Sequence, residues 1–501
     1  MSTANPTAKI IKKDVEDVET MLLPVPDTAR TSTVGHQFWI WAGANIAPIN
    51  WVLGSLGIVL GLSLAQTVEV LVLGNVIGCL AFGFFVLMGQ RTGVSQMVQT
   101  RSAFGRRGAY LPTFIQLVIS AGWCAVNTWI ILDLALALFG KLGYHGGTGL
   151  KVTIVILVMV IQIWLAAVGF NAIAKFERYT VPITFAVLIV MTIVAWSQNH
   201  VDWGYAGGHL HGSALISAES TIMTAIGVGW GCTWFAYASD YSRFVPRSTP
   251  KRKVFWASVF GQFLPVVWLG IFGATLATVA QDVDPGALVV KNFGALAIPV
   301  LLLVLHGPIA TNILNIYSCS LCAQTLDWKL NRRVIALMVG VIAFAFTIVL
   351  VYQASFASTL DAWLSGLVMW IAPWGTVTLL HFYYFLHQDV DVDALYDPPR
   401  RSRLPDVRWS AVISFAAGAI AAWCFEYGEV GWLQGPGAGA LGNVDLTWLV
   451  GSVVAGVLYL ILGRPQRSAL YAKDAPQPRH APSGIAPEPV TADVSAEALE
   501  V

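Results

Sequence analysis

A chain of 501 residues with 56% hydrophobic and only 11% charged side chains carries about half the charge of a soluble globular domain. Its formal net charge of +1 gives no bulk electrostatic case for a nucleic-acid partner. Many apolar runs reach the roughly 20 residues that a helix needs to cross a bilayer, so the composition indicates an all-α integral membrane protein seated in a lipid bilayer.

Taken in chain order, residues 1–35 are polar, with a mixed charge run from Lys9 to Glu19, and do not read as a cleavable signal peptide. Twelve transmembrane helices are expected, at about 36–64, 68–93, 110–139, 152–170, 178–198, 218–238, 254–281, 293–324, 333–353, 359–386, 409–428 and 445–463. They make one domain over 36–465. The tail, 466–501, is rich in Pro, Ala and charge and reads as disordered. Six cysteines all fall inside apolar segments; Cys319 and Cys322 lie one turn apart on a helix with no second ligand pair, which points to packing rather than zinc or redox chemistry.

Lysine and arginine set the orientation. With the N-terminus inside, the inner connections hold Arg101, Arg106, Arg107, Arg243, Arg247, Lys251, Arg252, Lys253, Arg332, Arg333, Arg400, Arg401 and Arg403, among others, whereas the outer loops hold only Lys141, Lys151 and Lys291. This asymmetry places both termini in the cytoplasm of a multi-pass plasma-membrane protein.

Two of the expected helices are interrupted. Span 1 contains Gly43-Ala44-Asn45-Ile46-Ala47-Pro48-Ile49-Asn50, and span 6 contains Gly227-Val228-Gly229-Trp230-Gly231. Unwound backbone at bilayer depth is tolerated where protein, substrate or ion satisfies its polar groups, and paired interruptions in two halves mark the central site of a secondary transporter. Spans 1–5 (about 36–198) and 6–10 (about 218–386) then form a five-plus-five inverted repeat, because an odd number of spans inverts the second copy. Two extra C-terminal helices follow, at 409–463.

The polar and aromatic residues of three spans are candidates for a substrate site. On span 3, Trp123 and Asn127 are four residues apart and share a face. An indole beside a carboxamide suits a flat heterocycle, with stacking on the ring and a donor and acceptor at its edge. A buried Trp and a helix-bonding Asn are the plainer alternative, weighed about evenly. Trp230 sits in the span 6 interruption, with Trp234 and Phe235 as rivals, and Gly229 and Gly231 allow close backbone approach. On span 8, Asn312 and Asn315 share a face, either for substrate or for helix–helix hydrogen bonds. Ionisable residues near membrane depth are Asp133, Glu177, Asp240 and His306.

Six motifs occur in order: Trp41-Ala42-Gly43-Ala44-Asn45, Gln99-Thr100-Arg101 with Phe104-Gly105 and Arg107-Gly108, Trp123 with Asn127, Phe176-Glu177-Arg178-Tyr179, Ser239-Asp240-Tyr241 with Arg243-Phe244, and Asn312 with Asn315, Tyr317 and Ser318. Over about residues 30–465 the chain thereby resembles the nucleobase–cation symporter family, the purine–cytosine permease type that includes allantoin and hydantoin carriers. The resemblance implies the leucine-transporter-like fold and a substrate sandwich between Trp123 and Trp230. It also implies polar contacts from Asn127, Asn312 or Asn315, Asn45, and the backbone at Gly229 and Gly231. No catalytic residue and no cofactor is implied beyond a coupling ion. For sodium, the ligands would be the Gly43 and Ile46 carbonyls and the Thr311 hydroxyl. The family's sodium pattern often has two adjacent hydroxyl residues where this chain has Ala310-Thr311. Proton coupling through Glu177 and Asp240 therefore stays open.

The expected function is a symporter that imports a nucleobase or similar planar nitrogen heterocycle by alternating access. An amino-acid or amine symporter on the same fold is the alternative, disfavoured because two indoles and several carboxamides suit a neutral ring. An enzyme or channel lacks support: the sequence has no metal set, nucleophile elbow, phosphate loop or filter repeat.

Overall fold

The computed structural model describes residues 22–168, 170–279, 285–328, 330, 332–352, 356–428 and 430–463. Seven helices among them are long and apolar enough to cross a membrane, and one further pair, Val34–Asn45 with Ile49–Val59, passes the same test across a 58° bend. Three shorter apolar helices accompany them: Thr148–Trp164, Trp409–Cys424 and Thr447–Leu462.

The first span is α1 (Val34–Asn45) and α2 (Ile49–Val59). Pro48 has no N–H to continue α1, and α2 restarts just after it. The Asn50 side chain bridges the gap, its Nδ2 donating to the Asn45 carbonyl at 2.6 Å. The next span, α3 (Leu64–Thr92), opens with a capping box of Ser63 and Gln66 and closes at Gly93 in the left-handed region. The buried helix α4 (Gln96–Phe104) follows before α5 (Tyr110–Lys141), α6 (Thr148–Val168) and α7 (Phe170–Gln198).

The sixth span differs from expectation. It runs as α8 (Ser213–Ile222), a π-helical segment Met223–Val228, α9 (Gly229–Thr233), a 3-10 turn Phe235–Tyr237 and α10 (Ala238–Ser242). The irregularity thus brackets the Gly229–Gly231 stretch, which is itself helical. The glycines serve packing: β-carbons at Gly227 and Gly231 would lie 2.7 and 2.5 Å from the Cα atoms of Gly74 and Gly78 on α3. Two small residues four apart on each helix let the backbones meet, as in membrane helix pairs generally.

Beyond it come α11 (Lys251–Ala277), the short helix α12 (Pro285–Phe293), α13 (Ala297–Val304), α14 (His306–Thr325), α15 (Arg332–Val351) and α16 (Phe356–Leu379). The eighth span runs as one membrane-length helical path over Ala297–Thr325, with a local turn at Leu305, whose backbone stays right-handed helical; Pro308, just beyond it, has no N–H for the carbonyl four residues earlier. A π-helical segment, Leu380–Phe385, ends the α16 path. The C-terminal α17 (Trp409–Cys424) and α19 (Thr447–Leu462) pack on α16, and the short α18 (Pro436–Ala440) between them packs on α17. Asp445, ahead of α19, accepts a hydrogen bond from Thr224 of the sixth span's π segment at 3.0 Å. The C-terminal pair therefore touches the irregular helix directly.

α2 lies against α11 with almost no side chain between them. A β-carbon on Gly54 would come within 1.8 Å of the Gly270 carbonyl oxygen, and one on Gly273 within 1.9 Å of that of Trp51.

Candidate functional site

The helix break between α1 and α2 faces α5, α9 and α14 across a cavity of about 30 Å³, close to the share of liquid volume taken by one water. From the break it is lined by Ala44, Ala47 and Ile49; from α5 by Trp123 and Asn127; from the sixth span by Trp230, Thr233, Trp234 and Tyr237; and from α14 by Thr311 and Asn315. Four of the residues singled out in the sequence as substrate candidates (Trp123, Asn127, Trp230 and Asn315) thus meet around one space, and so does Thr311. A larger groove of about 580 Å³ lies between α5, α15 and α16, but it is almost wholly apolar and presents little polar edge to a heterocycle.

The two indoles touch. Trp123 and Trp230 are edge to face, with ring centroids 5.8 Å apart and planes at 88°. Trp230 is held by its Nε1, which donates to Asn45 Oδ1 at 2.9 Å, and Asn45 is held in turn by its Nδ2, which donates to the Trp41 carbonyl at 2.8 Å. Asn45 therefore sits behind Trp230 and orients it rather than lining the cavity. Trp123 is backed by Trp363 of α16, also edge to face, at 6.1 Å. The contact needs Gly122, where a β-carbon would lie 2.0 Å from the Trp363 ring.

The carboxamides divide into two roles. Asn127 Nδ2 donates to Asn312 Oδ1 at 3.0 Å, while Asn312 Nδ2 donates to the Cys124 carbonyl at 3.0 Å and to Thr128 Oγ1 at 3.3 Å. Asn312 is fully buried and lies behind Asn127 instead of in the cavity wall. Asn315 does line the cavity; its Oδ1 accepts from the Tyr237 hydroxyl at 3.3 Å, and its buried Nδ2 has no partner among the described residues. An unpaired buried donor is costly, and one at a cavity wall suits an acceptor on a bound molecule. Gly229 and Gly231 are packing positions, the former against Thr224 and Val368 and the latter against Gly78.

The sequence reading missed Tyr237 and Ser120. The Tyr237 hydroxyl lies 2.8 Å from Ser120 Oγ, which accepts from Gln116 Nε2 at 3.1 Å. Spacing held the signal for Ser120, which lies seven residues before Asn127 on the unbroken α5 and shares its face; Tyr237 follows Trp230 through a 3-10 turn, where spacing does not give the face.

At the cation candidates, Ile46 ends α1 with φ −81° and ψ 75°. A β-carbon on Gly307 would lie 3.4 Å from the Ile46 carbonyl oxygen, so α14 abuts the break there. Thr311 Oγ1 donates to the Gly307 carbonyl at 3.1 Å, which leaves the hydroxyl lone pairs for an incoming donor or cation. A β-carbon on Gly43 would lie 3.3 Å from Val181 of α7.

The acids lie elsewhere. Asp240 is buried at the end of the sixth span, where its Oδ1 accepts from the Gln96 N–H at the start of α4 at 2.9 Å and its Oδ2 from Ser318 Oγ at 3.4 Å. It ties α4, α10 and α14 together and does not line the cavity. Asp133 Oδ2 accepts from the Gly286 N–H at 2.7 Å, which fixes the start of α12. Glu177 falls within α7, but its side chain and that of His306 lie outside the described residues.

Comparison with known proteins agrees with this geometry. The family model described as a permease for cytosine/purines, uracil, thiamine and allantoin matches residues 24–451. The purine-cytosine permease FCY2 of Saccharomyces cerevisiae is 27% identical over 470 residues, covering 88% of this chain and 84% of that one. The purine-uracil permease NCS1 of Arabidopsis thaliana is 25% identical, covering 89% and 78%. Among solved structures, Mhp1, a nucleobase-cation-symport-1 family transporter in a closed conformation with bromovinylhydantoin bound, superposes with a TM-score of 0.71 at 17% identity, covering 91% of this chain and 97% of that one. The fold is therefore that of Mhp1, the leucine-transporter-like helical fold. With the family model spanning most of its length, this chain belongs to the family of permeases for cytosine/purines, uracil, thiamine and allantoin.

Proposed function

We propose that this permease is a secondary active symporter that imports a nucleobase or related planar nitrogen heterocycle together with a cation. The observation that carries this is the convergence of two indoles, from α5 and α9, with two carboxamides, from α5 and α14, around one small cavity at the broken first span. Indoles offer stacking faces to any flat ring. Carboxamides supply neutral donors and acceptors for its edge. A zwitterionic amino acid would call for charge complementarity, and among the described residues no charged side chain lines this cavity.

Transport by alternating access needs the cavity to open to one side at a time, and coupling arises only if the cation binds one of those states better than the other. We assign the cation to the junction of the α1 break and α14, with the Gly43 and Ile46 carbonyls and the Thr311 hydroxyl as ligands, and favour sodium. Protons acting through Glu177 or Asp240 are the second reading, supported by the burial of Asp240 between three helices. The arginine-rich connections support a reading with both termini in the cytoplasm of a plasma-membrane protein. The five-plus-five inverted repeat with two added helices belongs to the same proposal.

The test is uptake of radiolabelled cytosine, uracil, hypoxanthine, adenine, allantoin and hydantoin in cells expressing the protein, with and without sodium and with and without a pH gradient. Saturable uptake of at least one heterocycle, unaffected by excess amino acids, is expected. Uptake of an amino acid or amine in place of every heterocycle would overturn the reading.

A further inference from the structure

We infer that Asn312 fixes the hydrogen-bonding sense of Asn127, so that the cavity presents an amide oxygen at that point and selects substrates that bring an N–H to it. The inference takes the cavity as the substrate site proposed above and adds the polarity that the site demands.

A carboxamide by itself is ambivalent. It can turn about its last bond to offer oxygen or nitrogen, and it then recognises either a donor or an acceptor. Asn127 is denied that freedom by what stands behind it. The Asn312 amide faces the main-chain carbonyl of Cys124, with Nδ2 to oxygen at 3.0 Å. A main-chain carbonyl only accepts, so turning Asn312 over would set oxygen against oxygen in a buried site. The Thr128 hydroxyl strengthens the constraint. It donates to that same Cys124 carbonyl at 2.7 Å and so accepts from Asn312 at 3.3 Å. With its nitrogen committed, Asn312 turns its oxygen to Asn127, and Asn127 must answer with Nδ2, at 3.0 Å. Its Oδ1 is then the end turned away from α14 and available to the cavity that Asn127 lines. One backbone carbonyl on α5 thus sets, through two amides, which atom a substrate meets.

On the opposite wall the unpartnered Nδ2 of Asn315 provides a donor. An acceptor and a donor together suit an edge with one N–H and one neighbouring acceptor, which is the lactam edge of an oxopyrimidine or oxopurine and the amidine edge of an aminopyrimidine or aminopurine. An edge with acceptors only would leave a buried amide oxygen unpaired against it, and such mismatches discriminate far more strongly than a missing methylene. Asn312 is accordingly a positioning residue, acting through Asn127.

The experiment is competition against a transported heterocycle by a matched series in which each ring N–H of the parent is replaced in turn by ring oxygen, which swaps a donor for an acceptor without adding bulk. In the wild-type protein one such replacement is expected to weaken competition at least about tenfold. Asn312→Leu releases Asn127 to turn, and the ratio between parent and oxa analogue should fall to within about threefold, with surface expression followed separately. Asn312→Gln keeps both a donor for the Cys124 carbonyl and an acceptor toward Asn127 and should stay closer to the wild-type ratio than Leu; if the Leu variant does not reach the membrane, the wild-type oxa series together with Asn312→Gln decides the matter. Equal competition by every oxa analogue in the wild type, or an unchanged ratio in Asn312→Leu, overturns the inference while leaving heterocycle transport standing. Failure of the wild type to take up any heterocycle would instead sink the functional reading itself.

Discussion

Trp230 is anchored and Trp123 is not bound in the same way: the Trp230 indole N–H donates to Asn45 at 2.9 Å, whereas Trp123 is held by edge-to-face ring contacts with Trp230 and Trp363. A base stacked between parallel rings needs a gap of about 7 Å, near the outer limit of aromatic contact distances. The 5.8 Å perpendicular pair provides no such slot. Substrate must part the two indoles, and Trp123 is the one with fewer polar ties to break. Trp123→Ala is expected to weaken competition by the preferred heterocycle about fivefold to 150-fold, the range for one lost stacking face of about 1–3 kcal/mol, and Trp123→Phe should lose less. Uptake measured at equal surface expression checks it; an Ala variant with unchanged affinity and rate would remove Trp123 from the site.

Asn45 is expected to act on affinity through Trp230 alone. Asn45→Ala leaves the indole N–H without its acceptor and lets the ring drift, a loss of about 1 kcal/mol for a neutral hydrogen bond, or roughly fivefold in competition. Asn45→Gln keeps both an acceptor for the indole and a donor for the Trp41 carbonyl and should recover part of that loss. Equal behaviour of the two variants would mean that the side chain serves the helix break and not the ring.

Close helix contacts make a separate prediction. Gly54→Ala would drive a methyl group to within 1.8 Å of the Gly270 backbone oxygen, and neither backbone can yield without moving a whole helix. The variant is expected to lose several kcal/mol, as overpacked cores do at the upper end, and to fail to accumulate. Gly35→Ala, with nothing within 4 Å, should behave as wild type in the same expression and thermal-unfolding measurements.

The sequence revealed the break in the first span because Pro48 sits in an apolar run and proline has a single steric consequence there. It also picked out large or polar residues of membrane helices that the fold brings around one cavity, Trp123, Asn127, Trp230 and Asn315. It misdirected attention at Gly229 and Gly231, because glycine in a membrane helix has two uses, unwinding and close approach, and only the partner helix decides between them. Here Gly74 and Gly78 decide for approach at Gly227 and Gly231. Asn312 could not be told from Asn315 in one dimension. Three residues shift a side chain by about 60° around the helix, enough to turn Asn312 toward Cys124 and Asn315 toward Tyr237. Tyr237 itself was obscured by a span of mixed helix types, where counting residues does not give a face directly.

Just past the C-terminal end of α14, Asp327 gathers Arg106, at 2.7 Å, Tyr110, and Arg101, at 3.5 Å. Partial burial raises its pKa, but the Arg106 and Tyr110 hydrogen bonds and the two guanidinium charges outweigh that, so the carboxyl is held below its ordinary range. A depressed carboxyl stabilises the folded state above the unfolded value of about 3.9 and loses that contribution as pH falls through the folded value. Thermal stability is therefore expected to be insensitive to Asp327 protonation between about pH 5 and 8 and to fall in more acid solution. Asp327→Asn should lower the unfolding temperature at neutral pH and little at about pH 3. Asp327 has φ 60°, which asparagine tolerates, so the substitution tests charge without adding backbone strain. An equal loss at both pH values would assign the effect to packing.

The coupling ion is tested at Thr311. Its hydroxyl donates to Gly307, so its oxygen lone pairs can still face a cation beside the Ile46 carbonyl. Sodium is a hard cation that takes oxygen ligands, as calcium and magnesium do, and two carbonyls with one hydroxyl form a partial shell. If this is the site, Thr311→Ala should weaken sodium stimulation of uptake severalfold and leave the pH profile in place, while Thr311→Ser restores sodium dependence. If protons drive uptake, sodium removal should do nothing, a protonophore should collapse accumulation, and Glu177→Gln or Asp240→Asn should flatten the pH profile. Asp240→Asn also perturbs the junction of α4, α10 and α14, so its surface expression must be matched to wild type before its transport is compared. Uptake that ignores sodium and collapses with the pH gradient would move coupling away from Thr311 and onto an acid.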